Sequence, residues 1–325
     1  MKPKVIVYKK VDQKVLDFIQ KTCDIVYFEN FGSETYPEFL RELKDAHAIL
    51  GSGLKVDKSL LDKAPHLKMV CNTSVGYDNL DLSELYERGI MATNTPEVLN
   101  ETVADTIMGL ILSTARRMPE LDKMVKTGKW ESNLGEKWFG LDVHHKVLGI
   151  IGMGEIGSSV AKRAHFGFDM DILYHNRSRN DEAEQKYGAT YCSMEDLLAQ
   201  SDYVCLMTPL TPETEKMIGK REFALMKKTA IFINCSRGKI VDEEALIHAL
   251  KTGEIHAAGL DVYVQEPVML DNPLLFMKNT VTLPHIGSAT YETRMKMAML
   301  AATNLVAGLQ GEIPQTLIKT GVKAK

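Results

Sequence analysis

Three residues of this sequence carry the side chains of a proton-moving, anion-binding site: Arg237, Glu266 and His285. Each lies just beyond an apolar, strand-like run, in Asn234-Cys-Ser-Arg237-Gly, Gly259-Leu-Asp261-Val-Tyr-Val-Gln-Glu266-Pro and Pro284-His285-Ile-Gly-Ser-Ala-Thr290. Arginine is fixed in charge and offers a fork of donors to a carboxylate or a polarised carbonyl. An imidazole titrates near working pH and is a natural proton donor to a developing alkoxide. A carboxylate beside it orients the ring and favours its protonated form. Singly, each is better explained as a structural histidine or a surface charge; the three in this order reverse that.

A second set of residues organises the chain around them. Val147-Leu-Gly-Ile-Ile151 leads into Gly152-Met-Gly154-Glu155-Ile156-Gly157, and Ile156, Val160, Ala161 and Ala164 then fall on one helical face. Strand, tight turn and helix are the context a dinucleotide fingerprint requires. Gly152 permits the turn, Gly154 lets backbone approach a pyrophosphate, and Gly157 lets helix and strand pack closely. The helix start offers unpaired N–H groups and a positive dipole end to phosphate. Where an NAD site places an acid on the ribose, eighteen residues after Gly157, the sequence reads His175-Asn-Arg177-Ser178-Arg179. Two guanidinium groups and a hydroxyl suit a 2′-phosphate, so NADP(H) is expected to be preferred, with NAD(H) also usable.

The elements that must hold these residues alternate strand and helix along the whole chain. Strand-like runs at Lys4–Tyr8, Ile25–Phe28, His47–Leu50, Leu67–Cys71 and Ile90–Ala92 build a first α/β unit without a glycine fingerprint. Ser74-Val75-Gly76-Tyr77-Asp78-Asn79 follows its fourth strand, where Val75 and Gly76 N–H groups can hold a carboxylate, or form an ordinary turn. Ser52 to Leu54 occupies an equivalent place. Asn94-Thr95-Pro96 marks a junction. Asn100 is expected as N-cap of a long helix, with Glu101 in its first turn and Val103, Ile107, Leu110, Ile111 and Leu112 making it apolar on more than one face. A second helix, Met118 to Lys126, and the aromatic stretch Trp130 to Phe139 suit either a subunit contact or internal packing. The second α/β unit runs from Val147 through strands near Ile172–Tyr174, Tyr203–Met207, Ala230–Asn234, Ala257–Asp261 and Thr280–Leu283. A last helix spans Thr290 to Leu309. The expected organisation is 1-99 plus 290-325 as substrate-binding domain and 100-289 as dinucleotide-binding domain.

Composition narrows the classes further. With 325 residues, 45% hydrophobic and 25% charged, the chain reads as a globular protein of two domains. A net charge of −4 argues against a nucleic-acid partner. Five cysteines without a CxxC read as reduced thiols, not a disulfide or metal framework, and Cys71, Cys205 and Cys235 as small buried residues. No apolar run is long enough for a membrane span and no leader precedes the first strand, so a cytoplasmic protein is expected.

Taken together, Ser74–Asn79, Glu101–Asp105, the fingerprint and the three strand-end pieces resemble the D-isomer-specific 2-hydroxyacid dehydrogenases, in the family's order and over essentially the whole chain. Val143-His-His-Lys, Arg163-Ala-His-Phe-Gly-Phe and Gly253-Glu-Ile-His-Ala-Ala-Gly-Leu-Asp261 are similar to its bacterial glyoxylate/hydroxypyruvate reductase branch, also called 2-ketogluconate reductases. The resemblance implies two doubly wound α/β domains, a flavodoxin-like substrate domain and a Rossmann NAD(P)-binding domain, with the cleft between them. It implies reduction of glyoxylate, hydroxypyruvate or 2-keto-D-gluconate to D-2-hydroxy acids, with Arg237, Glu266 and His285 catalytic. Gly154, Glu155 and Ile156 would contact the pyrophosphate and Arg177 to Arg179 the 2′-phosphate. Pro209 and Cys235 would lie along the cofactor, with Asp261 and Gly287 near the nicotinamide. Val75, Gly76 and Ser288 would touch substrate. Trp138 is similar in place to a tryptophan that reaches a neighbouring subunit's pocket, and a homodimer is expected. The alternatives are another NAD-dependent D-2-hydroxyacid dehydrogenase and, from a different class, a dinucleotide-sensing corepressor. Glu266 argues against the formate enzymes, which carry Gln there, and the short tail against the corepressors.

Overall fold

The computed structural model describes residues 2–319, which form two compact units: residues 2–99 with 289–319, and residues 100–288.

The first unit runs β1 (Lys4–Val7), α1 (Gln13–Gln20), β2 (Asp24–Tyr27), α2 (Tyr36–Leu43), β3 (Ala48–Gly51), α3 (Lys58–Leu61), β4 (Met69–Asn72), α4 (Leu82–Glu87) and β5 (Met91–Thr93). All strand pairs are parallel, in the order β2-β1-β3-β4-β5, the flavodoxin-like arrangement. Both sheet faces are covered, which is why β3 and β4 read as continuous apolar runs rather than alternating ones. Ile6, Ile49 and Val70 pack with Phe39, Leu43 and Leu85 on one side. Val5, Val7, Met69 and Cys71 meet Ala298, Ala301, Ala302 and Leu305 of the C-terminal helix, Tyr291–Leu309, on the other. Asp12, Asp57 and Asp81 cap α1, α3 and α4 through their side chains.

The second unit opens with α5 (Asn100–Ala115) and α6 (Met118–Lys126). Asn100 is the first residue of α5 and is buried, so the helix starts one position before the sequence pattern places it. Arg117, in the left-handed region at φ 56°, breaks α5 from α6. There follow β6 (Val147–Ile151), α7 (Glu155–Phe168), β7 (Asp171–His175), α8 (Asp181–Tyr187), β8 (Thr190–Tyr191), α9 (Met194–Gln200), β9 (Tyr203–Leu206), α10 (Lys220–Leu225), β10 (Ile231–Asn234), α11 (Glu243–Thr252), β11 (Ala257–Leu260) and β12 (Thr280–Thr282). The seven strands are parallel, in the order β12-β11-β10-β9-β6-β7-β8. The order reverses between β6 and β9, and the glycine turn after β6 sits at that switch point. The apolar character of α5 has a cause inside this unit: it lies on β10 and β11, and a Cβ at Gly259 would come 2.7 Å from the Leu110 side chain.

Among the described residues no helix is long and apolar enough to cross a membrane, and no group of three His, Cys, Asp or Glu is placed to hold a metal ion. All five cysteines are free thiols. Cys23, Cys71 and Cys205 are buried, whereas Cys192 and Cys235 keep some exposure.

Candidate active site

The glycine turn has the shape its sequence requires. Gly152 adopts φ +104°, and a Cβ there would meet the Met207 carbonyl carbon at 2.7 Å. A Cβ on Gly157 would come 2.4 Å from the Gly152 carbonyl oxygen, so only hydrogen allows helix and turn to approach so closely. At Gly154 a Cβ would meet nothing within 4 Å: the turn faces open space there, as a bound phosphate requires. α7 begins at Glu155, which is exposed, and Ile156 is partly buried behind it. The first N–H groups of α7 have no acceptor within the helix and point at the same space. Two residues overlooked in the sequence brace the turn. Asn176 Oδ1 accepts from the Met153 N–H at 2.7 Å, and Asn176 and Asn180 Nδ2 both donate to the Met153 carbonyl, at 3.2 and 3.0 Å. The sequence carries a trace of one of them, Asn176, directly after β7.

Arg177, Ser178 and Arg179 form an exposed turn at the carboxyl end of β7. The two arginines are not equivalent. Arg179 makes a two-pronged pair with Glu184, at 3.0 and 2.6 Å, and Tyr174 Oη donates to the same carboxylate at 2.6 Å. The Arg179 bond, then that of Tyr174, hold the Glu184 carboxyl below its usual range. Pro209 is exposed after β9, beside Thr208, whose buried hydroxyl has no partner. Cys235 follows β10, and burial pushes its thiol well up, so it stands as a neutral group. Gly152, Gly154, Gly157, Pro209 and Cys235 thus share one edge of the sheet, and that edge fits a dinucleotide.

The same edge brings the three candidate catalytic residues together. His285 Nδ1 lies 2.7 Å from Glu266 Oε2, and Glu266 Oε1 accepts from the Tyr263 N–H at 3.0 Å. Burial works against ionisation of Glu266. The bonds from His285 and Tyr263, with the charges of His285 and Arg237, outweigh it and hold the carboxyl below its usual range. Arg237 sits in the turn after β10, where Asn234 Nδ2 donates to its carbonyl at 3.1 Å and its own Nη1 donates to the Ser236 carbonyl at 2.8 Å. Ser236 Oγ donates to the Thr208 carbonyl. Gly238 lets this turn lie directly on the loop that carries Glu266, since a Cβ there would overlap the Tyr263 carbonyl group. Tyr263 Oη donates to the Leu283 carbonyl at 3.0 Å, tying the Glu266 loop to the His285 loop.

Asp261 is almost wholly buried, and both its oxygens are taken by backbone: Ile286 N–H at 2.7 Å and Gly287 N–H at 2.8 Å. It anchors the turn in which His285 adopts φ 54°. Burial raises its pKa more than those two bonds and the His285 charge lower it. Ser288, partly exposed, ends this turn. Val75 and Gly76 belong to the first unit, in the loop after β4. Trp138 lies in a 3-10 turn, Glu136–Trp138, with the Arg117 guanidinium 5.2 Å from its ring.

A seven-stranded parallel sheet of this order, with a glycine turn at its switch point and an Arg–Glu–His set on the same edge, defines a doubly wound dinucleotide-binding oxidoreductase domain. Residues 108–287 match the family model described as D-isomer specific 2-hydroxyacid dehydrogenase, NAD binding domain. The chain is 51% identical over 324 residues to the glyoxylate/hydroxypyruvate reductase B of Enterobacter sp. (strain 638), covering all of both chains. A glyoxylate reductase from Paecilomyes thermophila superposes with a TM-score of 0.87 at 32% identity, over 98% of each chain. The NADPH-dependent glyoxylate/hydroxypyruvate reductase of Sinorhizobium meliloti, solved with NADP and malonate, gives a TM-score of 0.85 at 31% identity, over 98% of this chain and 97% of that one. This chain belongs to the D-isomer specific 2-hydroxyacid dehydrogenase family, and a nicotinamide dinucleotide is its cofactor.

Proposed function

We propose that this protein reduces small 2-keto acids (glyoxylate, hydroxypyruvate and 2-keto-D-gluconate) to D-2-hydroxy acids, preferring NADPH and accepting NADH less well. The observation that carries the reading is the 2.7 Å contact between His285 Nδ1 and Glu266 Oε2. It commits one ring nitrogen to the carboxylate and leaves Nε2 to donate a proton to the C2 oxygen as that oxygen gains charge. Arg237 binds the substrate carboxylate and polarises the keto oxygen. Bound NADPH supplies the hydride that reaches C2. Val75 and Gly76 N–H groups hold the carboxylate, and Ser288 touches the substrate. Asp261 and Gly287 keep the His285 turn in place beside the cofactor, and Gly152, Gly154, Glu155, Ile156, Gly157, Pro209 and Cys235 line its path.

The preference for NADPH rests on the absence of an acid at the end of β7 and on Arg177, Ser178 and Arg179. The Sinorhizobium meliloti relative is NADPH-dependent and holds NADP, which supports it. Residues 1–99 with 290–325 act as substrate domain and 100–289 as dinucleotide domain. A homodimer accounts for the exposed apolar side chains of Met118, Val125, Trp130 and Phe139, and brings Trp138 to the partner's pocket. The protein works in the cytoplasm on a small-molecule substrate.

Loss of absorbance at 340 nm tests the reading, with NADPH and NADH against each of the three keto acids. Turnover favouring NADPH supports it. No turnover from a protein that still binds either dinucleotide would replace it with a sensor.

A further inference from the structure

Three neighbouring strands of the first unit end in register: Val7 of β1 pairs with Leu50 of β3, and Gly51 of β3 with Asn72 of β4. The residues just beyond them therefore form a row along the carboxyl edge of the sheet, with adjacent strands about 4.8 Å apart. That row reads Lys9, Ser52, then Thr73 to Gly76. At its far end the loop is pinned by its carbonyls. Asn72 Nδ2 and Ser74 Oγ donate to the Gly76 carbonyl at 3.0 and 2.7 Å, and Asn94 Nδ2 to the Val75 carbonyl at 2.8 Å. This fixes the orientation of Val75 and Gly76.

At the near end stands a corner made of donors. Lys9 Nζ donates to Ser52 Oγ at 2.5 Å. Lys9 is only partly exposed and forms no ion pair with a carboxylate among the described residues. Burial first, then the Arg294 charge from the C-terminal helix, lower its ammonium to about 8. An ammonium has three protons and a serine hydroxyl one. With one ammonium proton on Ser52, two N–H groups and the Ser52 O–H are left without a protein partner among the described residues. Beside it, Gly51 lets the Tyr8 ring lie against the end of β3, because a Cβ there would lie 2.4 Å from that ring. A half-buried amine with no carboxylate is costly unless a ligand completes its bonding. The function proposed above uses Val75 and Gly76 but leaves Lys9 and Ser52 without a task.

We propose that Lys9 and Ser52 form a specificity subsite that binds the oxygen-bearing carbons of the substrate beyond C2. The inference rests on the proposed reduction of 2-keto acids. A substrate held by its carboxylate at Val75 and Gly76 extends along the row of strand ends, and a hydroxyl on C3 or further accepts from Lys9 and Ser52. The subsite selects hydroxypyruvate over pyruvate, which differs from it by that one hydroxyl. A site built to bond a hydroxyl discriminates strongly against the analogue that lacks it.

The test is the ratio of kcat/KM for hydroxypyruvate to that for pyruvate, in the wild-type chain and in Lys9→Met, Lys9→Arg and Ser52→Ala. The ratio should fall about tenfold or more in Lys9→Met, as for loss of a charge-assisted hydrogen bond. It should fall less in Ser52→Ala and be largely restored in Lys9→Arg. A wild-type enzyme that reduces pyruvate as well as hydroxypyruvate, or a ratio untouched by Lys9→Met, overturns the subsite. Calorimetric binding of D-glycerate and D-lactate reads the same discrimination without turnover. Should the wild type reduce none of these keto acids, the reaction reading fails. The subsite then stands if Lys9→Met selectively weakens D-glycerate, and falls if the two acids bind alike.

Discussion

His285 and Glu266 are joined at 2.7 Å across two loops that follow different strands, β11 and β12, and the backbone of Tyr263 holds the far oxygen of the same carboxylate. The ring is therefore fixed from behind, by a group itself fixed from behind. His285→Ala should lower kcat for keto-acid reduction by about 10²- to 10⁴-fold, the usual worth of a general acid. NADPH affinity by fluorescence titration should stay close to wild type. Lost cofactor binding would assign the histidine a structural role instead. Glu266→Gln keeps the size of the side chain and removes the charge, so kcat should fall while KM moves little.

The two carboxyls of the site titrate in opposite senses. Glu266 is held below its usual range, so its ionised form contributes stability above its unfolded pKa, lost as pH falls through the lower folded value. Asp261 is raised by burial, so its ionisation costs stability as pH rises from the usual range through the raised one. Thermal midpoints across the acid range should show it. Relative to wild type, Glu266→Gln should lose less stability toward low pH. Asp261→Asn, free of the charge but facing two N–H donors with a single acceptor, should be less stable throughout. Identical acid limbs for wild type and Glu266→Gln would remove Glu266 from this account.

Much of this site is legible in the sequence because its parts are local. The run Val147–Ile151 is a strand over those very residues, and Gly152, Gly154 and Gly157 have the space and the conformations their spacing implies. The order of apolar runs is enough to give two parallel sheets. What escapes is contact between segments distant in sequence. Asn176 and Asn180 brace Met153 from more than twenty residues away. Gly238 presses on Tyr263, and Lys9 reaches Ser52 across two strand ends. The two-residue strand β8, Thr190–Tyr191, has too few positions to show a period, and exists because β7 leaves an edge to pair. Asn100 begins α5 itself, a one-residue shift that the pattern of apolar positions does not register.

Arg179 is already engaged by Glu184, whereas Arg177 stands beside it on the exposed turn. Arg177→Ala should therefore weaken NADPH about tenfold or more and NADH little, since a charge-assisted bond to the 2′-phosphate is lost. Arg179→Ala should show a smaller selective loss, together with a lower thermal midpoint as Glu184 and Tyr174 lose their partner. KM for the two cofactors in each variant decides. Equal losses for NADPH and NADH in Arg177→Ala would sink the 2′-phosphate assignment.

Gly238 links the turn of Arg237 to the loop that carries Glu266, the partner of His285, through backbone alone. A methyl group there would overlap the carbonyl of Tyr263, and neither side can yield as a flexible side chain would. Gly238→Ala must push the Arg237 turn away from the loop that holds Glu266. Overpacking of this kind costs about 1–3 kcal/mol. Displacement of a catalytic group by about 1 Å costs on the order of a hundredfold in rate. The variant should thus lose far more kcat/KM than its modest fall in thermal midpoint explains. Binding of the dinucleotide at the glycine turn after β6 should suffer less. A variant as active as wild type would mean that the two loops can part without disturbing Arg237, Glu266 and His285. A variant that fails to fold would leave Gly238→Ser uninformative as well, and the milder change Tyr263→Phe then reads the same coupling. It keeps the N–H bond to Glu266 but drops the bond to the Leu283 carbonyl, and should lower kcat with little change in cofactor KM.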